Sequence, residues 1–351
     1  MNAMRYGSVC SDNEGPSNSV RPTADPTRSA RNLSPIEAIR TAGKLLVVGD
    51  IMTDIIAKPE RPLNVGSDTP ARIESHLGGS AANQATWLAQ FNTKVTLVAK
   101  VGASDAERHR SSLLIAGVEP CLAVDPTGRT GSLVSLIDPD GQRTFLTDRG
   151  ANDSLDVADL PDELLSGASV LHVSAYPLFA ARSRAAVLDL MSRARRRGIV
   201  VTIDPASAGF LQDLEDGDFF RWTAGAAICF PNADEAIALT HTTDPKEQRL
   251  RLARHYPLVV IKRGALGAEV SGEGGVVLAE RRAPAVRVVD TTGAGDAFLA
   301  RFLSGLVDGE SLDQATTAAV NAGAHATTFF GGRASSSTMP KLGYRSPTTV
   351  R

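Results

Sequence analysis

The sequence has few of the residues that hold small secreted domains together or bind structural metals. Its 351 residues include three cysteines, Cys10, Cys121 and Cys229, which are widely spaced and form no C-x-x-C pair. This spacing predicts neither a disulfide framework nor a zinc site, and it favours a cytoplasmic location. The six histidines are scattered without metal-ligand spacing, so each is predicted to be structural.

Neither sign of charge dominates, and long hydrophobic runs are missing. Lys and Arg number 37 against 39 Asp and Glu, so nucleic acid is not an expected partner. The arginines within 193–197 precede Gly198 and are expected to complement the dipole at a helix end. No apolar run approaches the ~18–20 residues of a membrane span, and the N-terminus lacks a signal-peptide pattern. A membrane partner is therefore not expected.

The chain is predicted to contain one globular domain between two polar ends. Residues 1–42 are rich in Ser, Pro, Asn and Arg, which predicts a flexible extension with room for one or two helical turns at 34–42. The domain is expected over 43–345 and a short tail over 346–351. The composition, 42% hydrophobic and 22% charged, is that of an ordinary globular protein.

Short apolar runs alternate with helical patterns along this domain. The runs lie at 45–50, 95–101, 169–173, 199–204, 226–230 and 258–262. The helical patterns lie at 81–91, 180–197, 234–240, 245–255, 294–306 and 312–328. This alternation predicts βαβ units, and hence an α/β fold whose central, mostly parallel sheet has helices on both faces.

Two segments interrupt this alternation. Residues 54–77 contain three prolines and then the strand-like run 71–77, and residues 130–147 have the pattern of a hairpin with a turn at 138–141. We expect these segments to form a small inserted β-sheet lid, made from about 55–77 and 119–148. An exposed small sheet is prone to pairing unless it is covered, so a homodimer through the lid is expected.

The run Asp290–Phe298 carries the strongest chemical signal. Gly293, Ala294 and Gly295 open a helical pattern, and such a start presents unpaired N–H groups and a positive dipole end to an anion such as a phosphoryl group. Asp296 falls in the first turn, where its carboxylate could accept the proton of an attacking hydroxyl. A simple helix cap is the alternative role for Asp296.

This run resembles the second signature of the ribokinase-like, or PfkB, carbohydrate kinases. Three further motifs match that family in order: Gly78–Asn83, Asn232–Glu235, and the glycines of Gly264–Gly267 after a strand that ends at Lys262. The resemblance covers roughly residues 44–340, and four ordered motifs are far more specific than one glycine-rich match. It implies a ribokinase-like fold and ATP-dependent phosphorylation of a hydroxymethyl group.

The resemblance also implies a role for each matching position. Asp296 would be the catalytic base, and Gly293, Ala294 and Gly295 the anion hole. The acceptor would be bound by Asp54, Gly78, Gly79, Asn83 and Asp296. ATP would be bound by Asn232, Lys262, Gly264, Gly267, Gly293, Gly295 and Asn321.

The resemblance implies metal sites as well. Glu235 would hold Mg²⁺ through water. A monovalent cation such as K⁺ would be bound by Asp290, Thr292, Ala326, Gly331 and one serine of 335–337. The residues themselves leave plainer roles open: a capping box at Asn232–Glu235, turns at the glycine pairs, a buried amide at Asn83, and a carboxylate at Asp290 that only orders its loop.

Departures from the family pattern bear on the acceptor. Ser80 and Ala175 stand where ribokinase has a lysine and a glutamate that face the sugar, and Asp204 stands where it has an asparagine, so ribose is not the expected acceptor. Tyr176 and residues 149–152 are candidates to shape the pocket instead. Aromatic residues make up 5% of the chain, which disfavours stacking of a nucleoside base.

The sequence thus predicts a kinase for a primary hydroxyl of a sugar or sugar-like polyol. A nucleoside kinase of the same family, and a non-catalytic sugar or nucleotide sensor, are the alternatives.

Overall fold

A computed structural model describes Ile39, residues 43–137 and residues 143–333. The predicted N-terminal extension apart from Ile39, the turn at 138–141, the serines 335–337 and the tail at 346–351 lie outside these residues. Ile39 is fully buried in the hydrophobic core. The chain therefore contributes to the core before residue 43, where the domain was predicted to begin.

The described strands form two sheets. In chain order the strands are β1 (Lys44–Val48), β2 (Met52–Pro59), β3 (Ala71–Gly78), β4 (Val95–Gly102), β5 (Glu119–Asp125), β6 (Gly131–Ile137), β7 (Arg143–Asp148), β8 (Ala168–Ser174), β9 (Val200–Asp204), β10 (Ile228–Cys229), β11 (Leu258–Lys262), β12 (Ala268–Ser271) and β13 (Val277–Arg281).

The helices lie between these strands and after the last of them. They are α1 (Ser80–Gln90), α2 (Ala106–Ile115), α3 (Ala181–Arg196), α4 (Ala208–Gln212), α5 (Asp218–Trp222), α6 (Ala233–Thr240), α7 (Pro245–Leu252), α8 (Ala294–Val307) and α9 (Leu312–Ala326). Among the described residues, none of them combines the length and hydropathy that crossing a membrane requires.

The large sheet confirms the predicted fold class. Its strand order is β13-β12-β11-β10-β9-β8-β1-β4-β5, and pairing is parallel from β11 to β5 but antiparallel at β12 and β13. Alternate residues of β1 belong to different cores: Leu45 and Val47 to one, Leu46 and Val48 to the other. Because successive strand side chains point to opposite faces, both faces of the sheet are covered.

The smaller sheet contains most of the segments predicted to form the lid and is called the lid below, with one correction to its bounds. Its strand order is β3-β2-β6-β7. The segment 119–125, which was assigned to the lid, instead forms β5 and pairs in parallel with β4 at the edge of the large sheet. That assignment was wrong because β5 is half-buried and has only a weak apolar pattern, so its pairing depends on β4 rather than on its own sequence.

The faces of the lid differ in chemistry. Asp54 on β2 is in register with His76 on β3 and Leu133 on β6, and paired residues share a face. On the opposite face of the lid, Ile73 and Leu146 are exposed by 66% and 62%. A homodimer through the lid remains a prediction.

Candidate active site

Asp296 lies where two helices meet. It falls in the first turn of α8, and its carboxylate faces side chains of α1. Ser80 donates its hydroxyl to Asp296 Oδ1 at 2.7 Å, Gln84 donates Nε2 to the same oxygen at 3.1 Å, and Asn83 donates Nδ2 to Oδ2 at 3.1 Å. These contacts join residues more than 200 positions apart, and they hold the carboxylate in one orientation. Such an arrangement exceeds what a helix cap needs.

The environment of Asp296 suits proton transfer near neutral pH. Burial raises the pKa of its carboxyl to about 7, while the hydrogen bond from Ser80 acts in the opposite direction. The nearby Asp204 carboxylate raises the pKa further, and Lys262 lowers it. A base is most effective when its pKa lies close to the working pH. The role of Asp296 as the catalytic base remains a prediction.

A buried chain of polar groups extends from Asp296 into the large sheet. Lys262 Nζ lies 2.9 Å from Asp204 Oδ2, and Gln84 Nε2 lies 3.5 Å from the same oxygen. Gln84 Oε1 is 3.1 Å from His172 Nε2. Burial lowers the pKa of His172 to about 4, so its neutral ring orients the Gln84 amide.

Sequence reasoning missed Gln84 and the pairing of Lys262 with Asp204. Gln84 directly follows the Gly78–Asn83 motif, but an amide on a helix carries no distinctive pattern. Only the packing of α1 against α8 shows that this amide reaches the Asp296 carboxylate. Lys262, which was predicted to bind ATP, lies near the start of α8: a Cβ placed on Gly295 would lie 3.6 Å from Lys262 Nζ. ATP binding by Lys262 remains a prediction.

The glycine loop at the start of α8 is sterically constrained. Gly293 has a φ of +75°, and a Cβ there would lie 2.4 Å from the carbonyl oxygen of Gly332. First-turn N–H groups of a helix lack acceptors within it, although Ala294 donates its N–H to Thr291 at 3.3 Å. The loop therefore brings helix N–H groups, the Lys262 ammonium and the Asp296 carboxylate into one small region.

The predicted acceptor residues surround the start of α1. A Cβ on Gly78 would lie 2.0 Å from Asp54 Oδ2, and one on Gly79, whose φ is +94°, would lie 2.7 Å from the Asp50 carbonyl oxygen. Glycine is thus required at both positions because Asp54 and Asp50 approach closely, and not only because the chain turns there. Burial, together with Asp50, raises the pKa of Asp54 to about 6, while Arg333 lowers it.

The segment 149–152, predicted to shape the pocket, holds the strand end beside α1. Arg149 Nη1 lies 3.3 Å from Asp50 Oδ2, and its guanidinium stacks over Tyr176 at 4.6 Å. Asn152 accepts the N–H of Ile51 at 3.0 Å. Asp50 in turn accepts the Ala81 N–H at 3.1 Å. Asp50 was not among the predicted site residues, although Gly-Asp at a strand end is a signal that could have indicated it.

The proposed magnesium residue is the partner in a capping box. Asn232 Oδ1 accepts the Glu235 N–H at 2.9 Å, and Glu235 Oε2 accepts the Asn232 N–H at 2.8 Å. Burial, followed by repulsion from Asp204, raises the pKa of Glu235 to about 7. Within the described residues no group of three or more His, Cys, Asp and Glu side chains could hold a metal ion. Magnesium binding at Glu235 therefore remains a prediction.

The other nucleotide residues lie on the β11–β12 connection and on α9. Gly264 and Gly267 have φ values of +55° and +95°, and Arg263 donates its N–H to the Gly267 carbonyl at 2.7 Å. This is a tight hairpin turn, one of the roles left open. Asn321 is exposed on α9. ATP contacts by these residues remain predictions.

The predicted monovalent-cation residues come from two segments that meet: Asp290 and Thr292 lie before α8, whereas Ala326 ends α9 and Gly331 follows it. Asp290 accepts the Thr292 N–H at 2.8 Å and the Gly331 N–H at 3.1 Å. Its own N–H donates to the Thr327 carbonyl, next to Ala326, at 3.1 Å. Asp290 thus orders its own loop through hydrogen bonds, which is the plainer role left open for it. K⁺ binding remains a prediction.

The titration of Asp296 gives a testable pH dependence. Because a base must be deprotonated to act, we expect kcat/KM to fall about tenfold per pH unit below about pH 7, which is the pKa of Asp296 in the enzyme without bound substrate. The measurement is kcat/KM from pH 5 to 9. Glu235→Gln should leave this limb in place. A limb near pH 4, or one removed by Glu235→Gln, would contradict the assignment.

Comparisons with known proteins find similar sequences over most of the chain. Residues 42–339 match the profile described as pfkB family carbohydrate kinase. The ribokinase of Mus musculus is 29% identical over 273 residues, covering 74% of this chain and 80% of the relative. The cytidine kinase of Thermococcus kodakarensis is 29% identical over 281 residues, covering 77% of this chain and 91% of the relative.

A solved structure shows the same fold. It is an E. coli chain whose crystal structure was solved in complex with ATP and Mg²⁺. The TM-score is 0.74 at 20% identity, and the match covers 83% of this chain and 94% of that chain.

Proposed function

The chain belongs to the pfkB family of carbohydrate kinases, and on that premise we propose that it transfers the γ-phosphoryl group of ATP to a primary hydroxyl of a sugar or sugar-like polyol. The observation that carries the proposal is the Asp296 carboxylate, held by three side chains of α1 beside the N-terminus of α8. A binding protein has no need of a base with a neutral pKa next to an anion site.

Each group near Asp296 has a part in the reaction. Asp296 accepts the proton of the acceptor hydroxyl as its oxygen forms the new bond to the γ-phosphorus and the bond to ADP breaks. The first-turn N–H groups of Gly293–Gly295 and the Lys262 ammonium stabilise the negative charge on the transferred group. Mg²⁺, when bound, would neutralise charge on the ATP phosphates, with Glu235 holding it through water.

The acceptor is oriented from the opposite side. Asp54 offers carboxylate oxygens to acceptor hydroxyls, and the close approach of Gly78 and Gly79 leaves room for a ligand at the start of α1. Ser80, where ribokinase has a lysine, donates to Asp296, and Ala175, where ribokinase has a glutamate, is fully buried. These differences favour an acceptor other than ribose.

A nucleoside acceptor is the second candidate. A cavity of about 500 Å³ beside Asp54 is lined by Phe145 and Phe330, which are exposed by 53% and 69%. Two exposed phenylalanines could stack a base, and one relative is a cytidine kinase.

An acceptor screen tests these proposals. We expect ATP consumption with at least one of ribose, fructose, 2-keto-3-deoxygluconate, adenosine, inosine and pseudouridine, measured as ADP release above the acceptor-free rate. Turnover confined to nucleosides would replace the sugar assignment. Binding without turnover of any acceptor in a broader panel would support the sensor and contradict the kinase.

A further inference from the structure

Arg333 is a cation with unsatisfied donors at the edge of the acceptor cavity. Its Nη2 donates to the Gly78 carbonyl at 2.7 Å. Its Nε and Nη1 atoms are buried and have no hydrogen-bond partner among the described residues. Guanidinium groups remain charged in proteins and carry five donors, so a buried one with two idle nitrogens is costly unless another group completes it.

The nearest acidic residues do not accept hydrogen bonds from the idle nitrogens of Arg333. Asp50 is engaged by Arg149 at 3.3 Å. Asp54 interacts electrostatically with Arg333, yet the described residues contain no ion pair between them, and Asp54 Oδ1 is itself buried without a partner. Water could satisfy these atoms but would not neutralise the guanidinium. Asp54 and Arg333 line the same cavity, and an idle acceptor and idle cationic donors at its edge suit a polar ligand.

The cavity has room for such a ligand. Asp54 and Arg333 both line the volume of about 500 Å³, together with Ile56, Leu133 and Ser135 of the lid and the exposed Arg108. This is within the usual size of small-ligand sites. The cavity therefore offers a charged and polar wall formed by the 331–333 loop and a mixed wall formed by the lid.

The cavity is also close enough to Asp296 for one small acceptor to contact both Arg333 and the Asp296 carboxylate. Arg333 binds the carbonyl of Gly78, and Ser80 binds the Asp296 carboxylate. Gly78 and Ser80 are two residues apart, so their Cα atoms are at most about 7 Å apart. Gly332, next to Arg333, packs against Asn83, which also donates to Asp296.

We propose that Arg333 binds an anionic substituent of the acceptor, a carboxylate or a phosphate, at the end away from the hydroxyl that is phosphorylated. The proposal rests on the proposed function and narrows its substrate class to acidic or already phosphorylated sugars. The division of labour follows from hydrogen bonding: Asp54 can only accept and so takes hydroxyl donors, whereas Arg333 can only donate and so takes oxyanions. The planar guanidinium fits both oxygens of a carboxylate or phosphate.

Matched acceptor pairs test this assignment. Fructose and fructose 6-phosphate share a primary hydroxyl and differ by a phosphate; glucitol and gluconate share another and differ by a carboxylate. For one of the two pairs, we expect the wild-type protein to have at least tenfold higher kcat/KM with the anionic member. Which pair responds identifies the anion.

Substitutions then locate the preference. Arg333→Gln should lower kcat/KM for the anionic acceptor by about 10–100-fold, through KM, and leave the neutral member within a few fold. Arg333→Lys keeps the charge and should retain part of the preference, even if the glutamine variant folds poorly. Arg221→Gln, an exposed arginine outside the cavity, is the matched control and should change neither.

Three results would overturn the proposal. They are equal wild-type use of both members of each pair, an equal loss on both in Arg333→Gln, and an increase confined to the KM for ATP. A protein that turned over no acceptor would instead contradict the proposed function. In that case, gluconate or fructose 6-phosphate should still raise the melting temperature of the wild-type protein and not that of Arg333→Gln; no rise of the wild-type melting temperature with either anion would end the proposal.

Discussion

Replacing Asp296 by asparagine is expected to lower kcat by about 10²–10⁴-fold, the usual contribution of a general base. The amide has nearly the shape of the carboxylate but cannot accept a proton from the acceptor hydroxyl. Asn83 Oδ1 is buried without a partner among the described residues, so a flipped Asn83 could accept from the new amide. The change should therefore preserve the fold and abolish most of the chemistry.

The measurement is ADP release at saturating ATP and acceptor, with ATP binding followed by calorimetry. Asp234→Asn, which changes an exposed acid in the first turn of α6, is the matched control and should retain turnover. Binding of ATP should survive in both variants. Near-normal kcat in Asp296→Asn would refute the role of Asp296 as the base, because an amide cannot accept the proton. ATP binding does not require a proton acceptor and so does not test this role.

Gly293→Ala should have the second largest effect, a loss of about 10²–10³-fold in kcat, comparable to removal of an oxyanion-hole donor. The residue has a φ of +75°, and its new Cβ would meet the Gly332 carbonyl at 2.4 Å. The contact must be relieved by moving the start of α8 or the 331–333 loop. Movement of the start of α8 would displace the N–H groups that are proposed to bind the transferred phosphoryl group.

Gly309→Ala separates this effect from backbone strain. Gly309 has a similar φ of +80°, but a Cβ there would meet nothing within 4 Å. Both variants should lose about 1–2 kcal/mol of stability to the left-handed conformation, measured by denaturant unfolding. Only Gly293→Ala should lose kcat. Equal activity in the two variants would show that the glycine loop does not position the anion hole.

Local patterns predicted the large elements because burial repeats along the chain. The runs at 45–50 and 258–262 begin with four consecutive apolar residues, since strands covered on both faces need no polar side, and both became parallel strands. The run at 226–230 shortened to Ile228–Cys229, and α2 was not predicted. Six of the ten residues of α2, AERHRSSLLI, are polar, and only His109 and Leu113 are buried, so its amphipathic signal is faint.

The motifs determined the family and indicated Asp296, Asp54 and the glycines as candidate site residues. Such residues are recognisable in a sequence because close approach and phosphate binding restrict the residue types in a short segment. The same motifs could not distinguish a cap from a metal residue at Glu235, because Asn-x-x-Glu satisfies both. The structure shows the cap, and the metal role stays a prediction.

By itself, then, the sequence determined an α/β kinase fold with a lid and the identity of its candidate base. Tertiary structure alone decided which side chains surround that base. Ser80 and Asp296 are 216 residues apart, and Gln84, Asp204 and Lys262 come from three separate elements. It also decided that β5 belongs to the large sheet and not to the lid, and that Arg333 lines the cavity beside Asp54. Periodicity records which face of an element is buried, but contacts between distant segments depend on how those faces pack.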